Sequence, residues 1–152
     1  MLTVNDLMTV DPLTVVPETL LRTVLQLMKA ECCRQLPVLD ERRRLVGIIT
    51  DRDVRLALNS PILPDGGQEN QILLNTVTVE SCMTTDPLTV TPDTPAFRAA
   101  EMLSTYKFGA LPVVDGEALV GIITVTDFLD EFVQEHKTNV VFQAEPNERP
   151  SA

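Results

Sequence analysis

With 152 residues, 44% of them hydrophobic, and a formal net charge of −10, the chain can bury about two-thirds of its unfolded surface and is too apolar to stay disordered. The acidic balance excludes nucleic acid and anionic membrane as expected partners, since both call for a basic face; a small anionic ligand held by a local patch stays possible. No apolar run approaches the roughly 20 residues that cross a bilayer, the N-terminus lacks the basic start and apolar core of a signal peptide, and three cysteines do not make a disulfide framework, so a cytoplasmic location is expected.

An internal repeat organises everything else. Met8-Thr9-Val10-Asp11-Pro12-Leu13-Thr14-Val15-Val16-Pro17 returns 75 residues later as Met83-Thr84-Thr85-Asp86-Pro87-Leu88-Thr89-Val90-Thr91-Pro92, and Leu36-Pro37-Val38 returns as Leu111-Pro112-Val113. The offset then falls to 74 because Glu41-Arg42-Arg43-Arg44 shortens to Gly116-Glu117-Ala118, a loss placed in a turn. The repeat resumes and ends in Gly47-Ile48-Ile49-Thr50-Asp51-Arg52-Asp53 and Gly121-Ile122-Ile123-Thr124-Val125-Thr126-Asp127.

Each half reads in the same order. An extended piece around residues 13–15 (88–90) ends at a proline. A helix follows, with Thr19 or Thr94 as expected N-cap and Pro95 at the first helical position of the second copy. Leu21, Val24, Leu25 and Met28 fall at helical spacing, as do Ala96, Ala99, Ala100 and Leu103. Two strands come next, over 36–39 and 45–49, then 111–114 and 119–123, the second pair joined by an Asp-Gly step that predicts a tight hairpin. A closing helix begins near Asp53 or Asp127. The expected organisation is repeat 1 over 1–58, a linker over 59–76 with a short helix at 68–74, repeat 2 over 77–135, and a mobile tail over 136–152. One unit of this size is marginal alone; two β-α-β-β-α units packed sheet to sheet make one α/β (α+β) body.

The paired Met-Thr, Leu-Pro-Val and Gly-Ile-Ile-Thr-x-x-Asp motifs, in the same order twice, resemble a tandem pair of cystathionine-β-synthase (CBS) domains, a Bateman module, over residues 1–135. The resemblance implies two units stacked through their sheets with pseudo-two-fold symmetry, two clefts that hold AMP, ADP, ATP or S-adenosylmethionine, and a tendency to form homodimers. It implies one cleft made by Thr124, Thr126 and Asp127 with Thr9, Val10, Leu13, Arg34 and Gln35. A second would combine Thr50, Arg52 and Asp53 with Thr84, Thr85, Leu88, Gly109 and Ala110, with Arg34 within reach of either.

The same residues have ordinary structural roles. Thr-x-x-Asp at a helix start is a capping box; as a ligand site, its carboxylate accepts ribose hydroxyls while the threonine and helix amides suit phosphate. Arg34 and Arg52 fit phosphate by their forked donors, or are solvated surface arginines, and Arg42-Arg43-Arg44 reads as a solvated turn tip. Gly109 and Ala110 leave room for a purine but no phosphate partner. No catalytic residue, required cofactor or metal site is expected: His136 has no nucleophile or acid to work with, and Cys32, Cys33 and Cys82 lack zinc spacing and read as packing residues, the adjacent pair also as a redox sensor. The expected function is a stand-alone regulatory sensor of an adenosine-type ligand, acting on a regulated protein; the alternative is a dimeric scaffold with empty or plugged clefts.

Overall fold

The computed structural model describes residues 1–58 and 66–140. In chain order the elements are α1 (Val4–Leu7), β1 (Thr9–Val10), α2 (Leu21–Glu31), β2 (Gln35–Leu39), β3 (Leu45–Thr50), α3 (Asp51–Ala57) and α4 (Gly66–Thr76). After a 3-10 turn at Val79–Ser81 come β4 (Thr84–Thr85), α5 (Ala96–Tyr106), β5 (Ala110–Asp115), β6 (Ala118–Thr124) and α6 (Val125–Val140). The linker helix is longer than the expected 68–74, and α6 runs five residues past 135. The tail over 141–152 and the stretch 59–65 lie outside the described residues.

The helix faces follow the periodicity. Leu21, Val24 and Met28 of α2, and Ala96, Ala99 and Leu103 of α5, are buried. Both helices end on a non-glycine residue in the left-handed region, Cys32 at φ 51° and Lys107 at φ 60°. The strand pairs are antiparallel hairpins, β2 with β3 and β5 with β6. In the first, the Asp40 carboxylate accepts the Arg42 and Arg44 amides, both at 2.9 Å. In the second, Gly116 at φ 62° turns the chain directly after Asp115, as the Asp-Gly step predicts. The arginine turn is exposed, with Arg44 paired to Asp40 at 3.2 Å.

Two expectations are corrected. The pieces at 13–15 and 88–90 contribute only single parallel bridges, Val15 to Val38 and Val90 to Val113. The strands that complete each sheet lie earlier and are exchanged: β1 pairs with β6 of the second repeat, and β4 with β3 of the first, giving sheets β1-β6-β5 and β2-β3-β4. The lead-ins are exchanged with them. Val4 is fully buried among Val90, Ala99, Leu103 and Ile123, while Val79 is fully buried in the cluster of Leu21, Val24, Leu36 and Ile49. The two repeats are therefore interlocked.

The exchange also explains the second correction. Thr19 and Thr94 are not N-caps; each hydroxyl closes the preceding turn, accepting the Val16 and Thr91 amides at 3.1 and 3.0 Å. The helices start at Leu21 and Ala96, with Pro95 one position ahead of the helix. Their first amides donate instead to carbonyls of the opposite lead-in, Leu21 to Val77 at 3.1 Å and Ala96 to Leu2 at 2.9 Å. Between the repeats, Ile48, Ile122 and Ala110 form a small buried cluster, the sheet-to-sheet contact.

Candidate functional site

The closing helices start from the same device. Thr50 N–H donates to Asp53 Oδ2 at 2.9 Å and Asp53 N–H to Thr50 Oγ1 at 3.1 Å; the Thr124–Asp127 pair repeats this at 2.8 and 3.2 Å. These are capping boxes, satisfying two amides reciprocally at each helix start. The pre-proline segment supplies a third anchor. Asp51 N–H donates to the Arg34 carbonyl at 2.9 Å, and Val125 N–H to the Gly109 carbonyl at 3.0 Å. Of the first amides of α6, Val125 and Asp127 are thereby engaged, which leaves Thr126.

Against the start of α6 lies a cavity of about 830 Å³. Its walls include Thr9 of β1, Asp11, Pro12 and Leu13 after it, residues 31–36 at the α2–β2 turn, and Ile122, Thr124, Val125, Thr126, Asp127 and Leu129. The cavity therefore brings together seven residues of the first expected cleft: Thr9, Leu13, Arg34, Gln35, Thr124, Thr126 and Asp127. Val10, the eighth, is outside the lining; it pairs with Gly121 and is exposed.

The residues expected in the second cleft are placed differently. Gly109 lines the first cavity. The room beside Gly109 is taken by the Gln35 amide, whose Nε2 lies 2.4 Å from where a Cβ would stand. Ala110 is buried against Ile48 and Ile122, closed to a ligand. Thr84 and Thr85 are exposed in β4, Leu88 is exposed, and Thr50, Arg52 and Asp53 start α3 away from the first cavity. A further cavity of about 410 Å³ lies elsewhere, between the two hairpin turns, walled by Asp40, Arg44, Asp86, Gly116 and Glu117 among others.

Asp11, Glu31, Cys32, Cys33 and Leu129 line the first cavity without having been singled out from sequence as lining. Asp11 carried one available signal: it is repeated as Asp86, and both adopt positive φ, 49° and 46°, where aspartate is among the better tolerated residues. Cys33 and Cys82 pack against the first core as expected, and burial pushes both thiols up in pKa. Cys32 is exposed and is not a packing residue. His136 stacks on Phe132 with ring centroids 4.1 Å apart and lies outside the cavity lining. Among the described residues no group of three or more His, Cys, Asp or Glu could hold a metal, and no helix is long and apolar enough to cross a membrane.

Comparison with known proteins agrees with this architecture. The family model of the CBS domain matches residues 4–60 and 79–134. A CBS domain-containing protein of Dictyostelium discoideum is 36% identical over 132 residues, which is 86% of this chain and 91% of that one. The solved structure of CBSX2 in complex with AMP is 30% identical, with a TM-score of 0.72 over 90% of this chain and 99% of that one; CBSX2 comes from Arabidopsis thaliana. The CBS domain pair of protein MJ0100, in complex with 5′-methylthioadenosine and S-adenosyl-L-methionine, is 27% identical, with a TM-score of 0.74 over 89% of this chain and 98% of that one. Enzymes match over a smaller share of their length: an inosine-5′-monophosphate dehydrogenase of Korarchaeum cryptofilum is 35% identical over 77% of this chain but only 21% of that enzyme.

Proposed function

The chain belongs to the CBS domain family, and from that premise we propose that it is a regulatory module binding an adenosine-containing ligand between its repeats. The observation that carries the proposal is the cavity of about 830 Å³, within the range of small-molecule sites, walled by both repeats at the capped start of α6. Relatives solved with AMP and with S-adenosylmethionine support the ligand class. In this reading Leu13 and Leu129, both exposed in the cavity wall, supply apolar surface for the purine. Asp127 has one oxygen on the Thr124 amide and a second for the ribose hydroxyls. Thr124 keeps its hydroxyl proton for donation, since Asp127 N–H uses only a lone pair.

Because α2–β2 and α6 come from different repeats, a ligand touching both favours one packing of the repeats over another, the differential affinity that any switch requires. A homodimer and a regulated protein that reads the packing complete the role, in the cytoplasm, with no catalysis assigned to the chain. Ala110, buried against Ile48 and Ile122, favours a second cleft that stays without ligand, so one ligand per chain is expected. Calorimetric titration with AMP, ADP, ATP, S-adenosylmethionine and NAD tests the proposal. Binding of an adenosine compound below millimolar supports it, and no heat from any of them leaves the scaffold reading.

A further inference from the structure

We infer that this cavity discriminates by charge, taking adenosine derivatives whose 5′ group is neutral or cationic in preference to polyphosphates; the inference rests on the adenosine reading above. Asp11, Glu31 and Asp127 line the cavity against a single guanidinium, Arg34, a surplus of two negative charges. Arg34 has no ion pair among the described residues, so it can meet one phosphate charge but not three or four. The helix start that would otherwise attract an anion is largely spent: Val125 N–H is bonded to the Gly109 carbonyl and Asp127 N–H to Thr124. The Asp11 backbone is held at φ 49° with its amide directed to the Val120 carbonyl at 3.4 Å, which keeps the residue at the cavity wall. A divalent cation carried by the nucleotide and bridging a carboxylate to phosphate would reverse the sign, so the charge preference is a statement about the metal-free nucleotides. A sulfonium such as that of S-adenosylmethionine is therefore favoured, a monophosphate is intermediate, and a triphosphate is repelled.

Competitive calorimetry on the full chain, with S-adenosylmethionine, AMP and ATP at low and high salt, tests this with EDTA and with magnesium. Affinity should fall in that order, by about tenfold or more from the sulfonium to ATP at low salt, and the spread should narrow at high salt as screening shortens. The double variant Asp11→Asn, Glu31→Gln keeps side-chain size, and asparagine tolerates the left-handed backbone; it should narrow the ratio several-fold with unchanged melting. ATP binding as tightly as S-adenosylmethionine, or a ratio unmoved in the double variant, overturns the charge inference and leaves the adenosine reading standing. Absence of binding by all three overturns both.

Discussion

Gly121→Ala should loosen the exchanged strand, and the structure gives the size of the effect. In the β1–β6 register Val10 faces Gly121 and Thr9 faces Ile122. A Cβ at position 121 would stand 2.6 Å from Met8 Sδ and 2.8 Å from the Thr9 carbonyl oxygen. The thioether can swing aside, but the carbonyl is backbone, so β1 itself must move. Overpacking of this kind costs about 1–3 kcal/mol, and at roughly 2–4 °C per kcal/mol for a chain of this length the melting point should fall by roughly 2–12 °C. Gly47→Ala carries the same clash, with Met83 Sδ at 2.6 Å and the Thr84 carbonyl at 2.8 Å, and should cost as much. The two differ in function: Thr9 lines the cavity and Thr84 does not, so only Gly121→Ala should also weaken ligand binding. Gly67, with no atom within 4 Å of an added Cβ, is the control; Gly67→Ala in α4 should stabilise by about 0.5–1 kcal/mol. Scanning calorimetry and urea midpoints measure all three. A Gly121→Ala protein that melts with wild type, or a Gly67→Ala protein destabilised as much, refutes the close-approach account.

The interlocked lead-ins predict that residues 1–58 and 77–140, made separately, give poorly dispersed amide spectra, because each half lacks the buried Val79 or Val4 that the other carries; mixing the fragments should restore dispersion. Asp53→Ala and Asp127→Ala should each cost about 1 kcal/mol of capping stability by denaturant titration, with ligand binding lost only in Asp127→Ala. The Asp40 carboxyl is held below the ordinary carboxylate range, first by the Arg44 amide, then by the Arg42 amide and the Arg44 side chain. A lowered folded-state value gives stability that is present above the unfolded carboxylate value and lost as pH falls through the folded one, so Asp40→Asn should cost stability at neutral pH and nothing once pH falls well below about 4. Iodoacetamide should label Cys32 first, since Cys32 is exposed whereas burial raises the Cys33 and Cys82 thiols; a saturating adenosine ligand should slow labelling at Cys32 and Cys33, which line the cavity, and leave Cys82 unchanged, read by peptide mass spectrometry.

Much of this was legible in the sequence because the repeat multiplies each local signal. Helical spacing placed Leu21, Val24 and Met28 inward, and the two Thr-x-x-Asp endings are the capping boxes they resemble. The cavity at the start of α6 gathers seven of the eight residues that the resemblance implied for one cleft. The illegible part is non-local. β1 and β4 are two residues each, too short for an alternation pattern to say which sheet they join. Thr19 and Thr94 look like caps, yet the opposite lead-in offers carbonyls to α2 and α5, and that depends on the exchange. Gly109 was expected in the other cleft because the resemblance pairs each pre-proline segment with the opposite ending motif, and the Gln35 side chain that lies over it shows only in the fold. The acidic character of the cavity depends on Asp11 and Glu31, which lie 20 residues apart in the chain and share a wall only once folded.

A crystal structure of the chain grown with a saturating adenosine ligand tests the central claim most directly. Density for one adenosine per chain is predicted, with ribose hydroxyls on the free oxygen of Asp127 and the purine against Leu13 and Leu129. Ligand at Thr50–Asp53 with the Thr124–Asp127 cavity unoccupied would contradict it.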